Sequence, residues 1–248
     1  WEAQRLEQFG TEKLDAPVEQ WPEPFPNVEQ TKLLLRHGIV FYEGAAWTDA
    51  HDRWLRAQAA PQLPTVATRM AFDSDYEHVL MLQARRRSLD AVIEGIAADC
   101  EFTAVVRRLS CLRGVGTLTA FALAVEIGDW NRFTGNTIGS FVGLVPSESS
   151  SGSTRLQGPI TKTGNTHVRR LLVEAAWHHR TKYQARAVMR ARWDKAPAAA
   201  RARGHEGNRR LHNRWVDFLA RRKRSTVANV AIARELAGWC WSLAVMDD

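Results

Sequence analysis

Apolar residues at helical spacing govern the first half of this chain. Tyr76, Val79, Leu82, Leu89, Ile93 and Ile96 recur at three, four or seven residues, and Arg85, Arg87, Asp90 and Glu94 fall on the opposite face. That period places apolar side chains on one side of a helix, whereas a half-buried strand alternates every second residue. The pattern predicts a helix from about Asp73 to Cys100, capped by Asp73 or Ser74. Its length fits either a coiled-coil arm or a core helix of a bundle.

Glycine and proline punctuate the rest. Residues 32–37 read as a short helix stopping at Gly38, and Thr48 reads as the N-cap of a second one carrying Trp54 and Leu55. Residues 16–30 hold Pro17, Pro22, Pro24 and Pro26 and are expected to be extended or disordered. Short helices dominate from Glu101. The glycines and small polar residues between Gly143 and Asn165 read as one long loop. Residues 168–192 read as helix, Pro197 and Gly204 mark a turn, and two last helices cover 205–221 and 225–245. Period-two alternation is scarce. The expected class is mainly α: a helical bundle with a helix-hairpin-helix element, preceded by a long helical, coiled-coil-like arm. Four segments follow from this reading: 1–30, acidic, Pro-rich and unrelated to the rest or disordered; 31–100, a helical linker or arm; 101–192, the main domain; and 193–248, a basic helical tail.

Charge separates these segments. The 248 residues carry a net charge of +7, but residues 1–30 hold two basic and seven acidic side chains while residues 169–224 hold seventeen basic and four acidic. A concentrated basic stretch is the footprint of a polyanion binder, because each Lys or Arg set against a phosphate releases counterions. A solvated helix face is the competing reading. No apolar run approaches the ~18 residues of a membrane span, and the start, Trp1-Glu2-Ala3-Gln4, lacks the pattern of a signal peptide. Cys100, Cys111 and Cys240 show neither CxxC nor CxH spacing, so reduced thiols are expected rather than a disulfide framework or a zinc site. Trp54, Trp177, Trp239 and Trp241 fall on apolar helix faces, where core packing accounts for them better than a binding interface.

Three constellations could carry chemistry. Leu109 to Ala120 places Gly114-Val115-Gly116 between two apolar helical segments. The glycines permit a tight turn, and the N–H groups at the next helix start, from Thr117, can meet a phosphate; a plain turn between helices is the alternative. Glu126 and Asp129 lie three apart on one helix face and could be metal ligands, but no third carboxylate supports them. Residues 143–153 hold a serine run beside Gly152, followed by residues 158–165 with Lys162 and Asn165 among glycines. A serine can attack a phosphodiester when a base or cation activates its hydroxyl and donors stabilise the charge on phosphorus. Arg155, Lys162, His167, Arg169 and Arg170 are near enough in sequence to supply such groups.

In order along the chain, these blocks resemble the C-terminal domain of insertion-sequence transposases of the IS110 class. The blocks are Leu112-x-Gly114-Val115-Gly116-x-x-Thr119-Ala120, Glu126-Ile127-Gly128-Asp129, Arg132-Phe133, Gly143-Leu144-Val145-Pro146, Ser150-Ser151-Gly152, Ile160-Thr161-Lys162-x-Gly164-Asn165 and Arg169-Arg170-Leu171-Leu172-x-Glu174-Ala175-Ala176. The resemblance makes residues 101–192 the C-terminal transposase domain and implies a recombinase that cuts and joins DNA. It implies a serine that joins DNA covalently, falling on Ser151 with Ser150 as the alternative. DNA contacts would come from Gly114, Gly116, Thr117, Arg155, Lys162, Asn165, Arg169 and Arg170. It further implies DNA as partner, a guide RNA for some members, a homo-oligomer, and a cytoplasmic, nucleoid-associated location without a membrane. Family members also carry an acidic RNase-H-like domain whose four carboxylates bind magnesium. No such pattern precedes Leu33, so no cofactor is expected in this chain, Mg2+ being expected only with that domain. A truncated copy, or a DNA- or RNA-binding remnant without chemistry, is the alternative expectation.

Overall fold

The computed structural model describes residues 26–151 and 154–247, with the backbone alone for 26–29, 149–151 and 154–157. Most of the segment expected to be acidic and disordered, residues 1–25, lies outside the described residues. Residues 26–30 instead open a helix, α1 (Pro26–Arg36). Pro26 is tolerated there because the first helical residue has no intrahelical use for its N–H. The chain divides into two compact units, residues 1–91 and 92–248.

In the first unit, α1 ends as expected at Gly38, whose φ of +70° lets the Gly38 and Ile39 N–H groups reach the carbonyls of Leu35 and Leu34. Thr48 caps α2 (Asp49–Trp54) by accepting from the His51 N–H. Helix α3 (Val66–Ala98) starts seven residues before the expected Asp73. Its first turn is held by Thr65, whose hydroxyl accepts the Thr68 N–H at 3.1 Å, the role expected of Asp73 or Ser74. Leu34, Ile39, Leu55, Leu63, Phe72 and Tyr76 form the core of this unit, and Tyr76 donates its hydroxyl to Asp52. The boundary between the units falls inside α3. Further along that helix Leu82, Leu89 and Ile96, part of the apolar period, are half exposed.

The second unit is helical apart from one hairpin. It comprises α4 (Thr103–Leu109), α5 (Thr117–Ile127), α6 (Thr137–Phe141), β1 (Pro146–Ser151), β2 (Thr154–Ile160), α7 (Thr166–Trp177), α8 (Ala187–Trp193), α9 (Ala198–Ala220) and α10 (Ser225–Ala244). Helix α10 is central. It packs on α9, α7, α6 and α4 and buries Ala228, Ile232, Leu236, Cys240 and Leu243. Trp215 of α9 is fully buried and still satisfies its indole N–H on the Ala176 carbonyl, as a buried donor must.

Three expectations are corrected here. The stretch read as one long loop is an antiparallel hairpin, with Pro146 opposite Ile160 and Ser151 opposite Thr154. It shows no apolar alternation because its described side chains beyond the base, Ser147, Glu148 and Pro159, are exposed; only a buried face imposes a period. Its base is held by a close backbone approach. Thr161 and Lys162 donate to the carbonyls of Val145 and Gly143 at 2.9 and 3.1 Å, and Gly143 and Gly164 both have positive φ. The helix read across 168–192 breaks after α7, because Arg113 takes the carbonyls of Thr181 and Lys182 that a continuing helix would use. Gly204 is not in a turn but inside α9. A Cβ there would stand 2.9 Å from the Cys111 carbonyl oxygen, so glycine serves close packing.

A Cβ at Gly164 would meet the Phe141 carbonyl oxygen at 1.8 Å, whereas at Gly128, also at positive φ, it would meet nothing within 4 Å. Gly128→Ala is therefore expected to cost only the backbone strain of a side chain held at φ +65° and ψ −109°, about 1–3 kcal/mol. Gly164→Ala is expected to cost clearly more, read as a larger drop in urea midpoint.

Candidate nucleic-acid interface

The turn between α4 and α5 is built from its glycines outward. Gly114, at φ +81°, lets α7 approach: a Cβ there would lie 2.5 Å from the Ala175 carbonyl oxygen. Gly116 is the N-cap of α5 and offers no side-chain cap, so the first-turn N–H groups beginning at Thr117 have no side-chain partner. Beyond Gly116 the nearest group is the Arg192 guanidinium, whose Nη1 would stand 3.5 Å from a Cβ. The two glycines thus differ: Gly114 admits the protein's own backbone, while Gly116 leaves room beside an arginine.

Around this turn lies a cavity of 590 Å³, walled on one side by Arg113, Gly114 and Gly116 and on the other by residues between His178 and Arg192. Arg113 donates to the Thr181 and Lys182 carbonyls and to the Thr181 hydroxyl, so its guanidinium braces the far wall. Arg192 of α8 donates to the Val115 carbonyl at 2.7 Å, while its Nε is buried without a partner. Arg186, the N-cap residue of α8, is exposed. Three arginines and His178 line the cavity, and no carboxylate does. Burial first, and then the charges of Arg113 and Arg192, push the His178 imidazole below its ordinary value. Burial and then the nearby Arg186 do the same to Arg113. The charged side chains that line the cavity are thus cationic.

The hairpin separates residues that sequence proximity had grouped. The backbones of Ser150 and Ser151 lie at the far end of β1, paired with Arg155 and Thr154. Their side chains, that of Arg155, and all of Gly152 lie outside the described residues. Lys162, Asn165, Arg169 and Arg170 lie at the base, about 17 Å along the strands. Lys162 adopts φ +56° and uses its N–H on Gly143. Arg169 spends its Nη1 on the Val142 and Thr163 carbonyls, at 3.0 and 2.8 Å. Asn165 caps α7 by accepting the Val168 N–H and donates to Glu126 at 2.6 Å. Arg170 is exposed on α7.

Glu126 also pairs with His167. Burial pushes the Glu126 carboxyl up, but the bonds from His167 and Asn165 outweigh it and hold the group below its usual range. The carboxylate read as a potential metal ligand thus ties α5 to the start of α7, and Asp129 accepts the Asn131 N–H. Among the described residues no three His, Cys, Asp or Glu side chains converge to hold a metal ion, so the described part does not fit one. Sequence reasoning missed the cavity residues Arg113, His178, Gln184 and Arg186. Arg113 was legible only as the residue beside the glycine turn. The others lie where the helix read across 168–192 in fact breaks.

The second unit is thus a helical domain whose cavity is lined by arginines and by no carboxylate. Residues 106–193 match the model of the Transposase IS116/IS110/IS902 family. "Putative transposase y4qE" of Sinorhizobium fredii is 34% identical over 215 residues, covering 86% of this chain and 50% of that protein. A "Probable family 20 transposase" of Pseudomonas aeruginosa is 31% identical over 163 residues, covering 65% and 41%. The "Transposase for insertion sequence element IS1533" of Leptospira borgpetersenii is 27% identical over 203 residues, covering 78% and 56%. By this family model and these relatives, the chain belongs to the IS110/IS116 family of transposases, and it spans about half the length of the curated relatives it matches. No helix among the described residues is long and apolar enough to cross a membrane.

Behind the cavity, His179 is fully buried. Burial, with the Arg113 charge adding to it, lowers its imidazole from 6.5 to about 3. The unfolded chain takes up this proton near pH 6.5 and the folded chain does not, so stability is full above 6.5 and declines as pH falls from there towards 3. The expected slope is up to about 1.4 kcal/mol per pH unit. Denaturation followed between pH 7.5 and 5 checks it: His179→Leu should flatten the decline.

Proposed function

We propose that this chain is the DNA-handling part of an insertion-sequence transposase: it binds DNA and supplies a serine for strand cleavage and joining. The arginine-lined cavity beside the unpaired first turn of α5 carries the binding half of this reading. Backbone N–H groups at a helix start and guanidinium groups are the donors that phosphates take, and they position a strand without reading its sequence. The excess of basic over acidic residues in 169–224 supports the same partner.

Ser151 is the proposed nucleophile, with Ser150 as the alternative. Its Oγ attacks phosphorus, an Oγ–P bond forms and one strand P–O bond breaks. The serine proton passes to a base, and the departing strand oxygen takes up a proton to leave as a hydroxyl. Joining reverses the step, with a strand hydroxyl displacing the serine. Arg155, paired with Ser150 across the hairpin, is the cation nearest this chemistry in the register. Gly114, Gly116 and Thr117 hold phosphates at the cavity, and Lys162, Asn165, Arg169 and Arg170 mark a separate approach at the hairpin base. Magnesium, a guide RNA and self-association are proposed for an assembly that includes the acidic metal-binding domain implied by the resemblance; no step here is routed through the metal.

In a full-length context, incubation with DNA carrying an element end should give a protein–DNA adduct that survives denaturing electrophoresis. Ser151→Ala should abolish the adduct and leave binding intact. An undiminished adduct in that variant overturns the assignment, and loss in Ser150→Ala instead moves the role by one residue. Salt-dependent binding with no adduct from any variant would assign the chain to DNA binding alone. Affinity should fall steeply from 50 to 200 mM salt, with a log–log slope of about −0.9 for each phosphate contacted.

A further inference from the structure

The cavity holds more than a phosphate needs. Besides its cations it is lined by Val188 and Met189, which are apolar, and by Gln184, whose amide can both donate and accept. Val188 is 77% exposed, a side chain that folding leaves without cover. At 590 Å³ the space lies in the range of small-molecule sites, roughly 300–1,000 Å³. Arg113 and Gly116 come from the turn before α5, Gln184 from the break after α7, and Val188, Met189 and Arg192 from neighbouring positions on one face of α8. A ligand matching this lining has an anionic group joined to a flat, apolar body with hydrogen-bonding edges.

We propose that this cavity receives a single unpaired nucleotide of a DNA strand, its phosphate set against Arg113, Arg192 and the α5 N–H groups and its base against Met189, Val188 and Gln184. This rests on the DNA-binding reading above and adds to it the state of the bound strand. A base stacked in a duplex presents only its edges, so an apolar wall can reach its face only when it leaves the stack. Arg186 lines the cavity, is exposed and has no ion-pair partner among the described residues, so it is free to meet the adjoining phosphate of the same strand.

The test uses the chain as it stands and three labelled oligonucleotides: a fully paired duplex, the same duplex with one unpaired nucleotide, and the single strand. A 2-aminopurine occupies the unpaired position. Binding should be about tenfold tighter, about 1.4 kcal/mol, for the two unpaired probes than for the duplex, and the 2-aminopurine emission should change on binding. Gln184→Ala, at an exposed position, should erase that preference while leaving the melting temperature and the duplex affinity near their original values, whereas Arg186→Ala, which removes a cation, should weaken all three probes. Arg113→Ala is the poorer probe because it also frees the Thr181 and Lys182 carbonyls. Equal affinity for all three probes, with salt dependence kept, overturns the nucleotide pocket and leaves the DNA reading standing. Absence of binding to every probe overturns both. Competition by free deoxyadenosine monophosphate without any preference among the oligonucleotides marks a mononucleotide site and overturns the strand proposal.

Discussion

The Cys111 carbonyl is the point on which the second unit turns. It accepts from the Asn208 side chain at 2.9 Å and from the Trp193 indole at 3.1 Å. Asn208 completes the link by accepting the Arg113 N–H at 2.8 Å. The turn between α4 and α5 cannot use these groups in a helix, and burial would leave them costly if unmet. Two helices from later in the chain therefore meet them. Gly204 removes the side chain that would hold α9 off Cys111, and Gly114 does the same for α7. Core packing and cavity shape thus share one set of contacts: the bonds that hold α8 and α9 to the turn also set Arg192 beside Gly116.

Much of the fold was legible where local chemistry decides it. Gly38 and Thr48 end and begin their helices as the sequence implies, because each acts through its own neighbours. The tail helices were visible from their apolar spacing, although α9 begins seven residues before the expected start. Legibility failed where a distant group intervenes. Nothing local to Thr181 announces that Arg113, 68 residues away, will take its carbonyl. Nothing in a run of serines announces a strand, since the signal of a strand is a buried face and this hairpin shows none in its described side chains. Gly204 carried the signal of a turn, and only the proximity of Cys111 explains its use inside a helix.

The charge count overstates the cations available to a partner. Arg210 and Arg214 both pair with Glu235. Arg203 bonds Ser242, pairs with Glu206 and lies over the Trp239 ring. Arg169 is drawn to two carbonyls. These groups hold α9 on α10 and the hairpin on α7, and exposed pairs of this kind add little stability each. The effective field comes from the smaller set that no carboxylate offsets, and Arg113, Arg186 and Arg192 belong to it. A density of arginine in sequence points to a polyanion, but geometry decides which of them a phosphate could use.

The hairpin imposes a division of labour on the proposed chemistry. Its base is rigid by construction: Gly143 and Gly164 admit backbone approach, and Arg169 takes carbonyls on both sides of the junction. A nucleophile carried at the other end cannot draw on Lys162, Asn165 or Arg169 for its transition state, since stabilising donors must lie within hydrogen-bonding distance of the reacting oxygens. Such a serine depends on Arg155, on the turn itself, and on whatever surface meets that end. On the proposed reading, strand holding at the cavity and strand chemistry at the hairpin would therefore be separate duties of separate elements. A substitution in one can leave the other working, which a single compact active site would not permit.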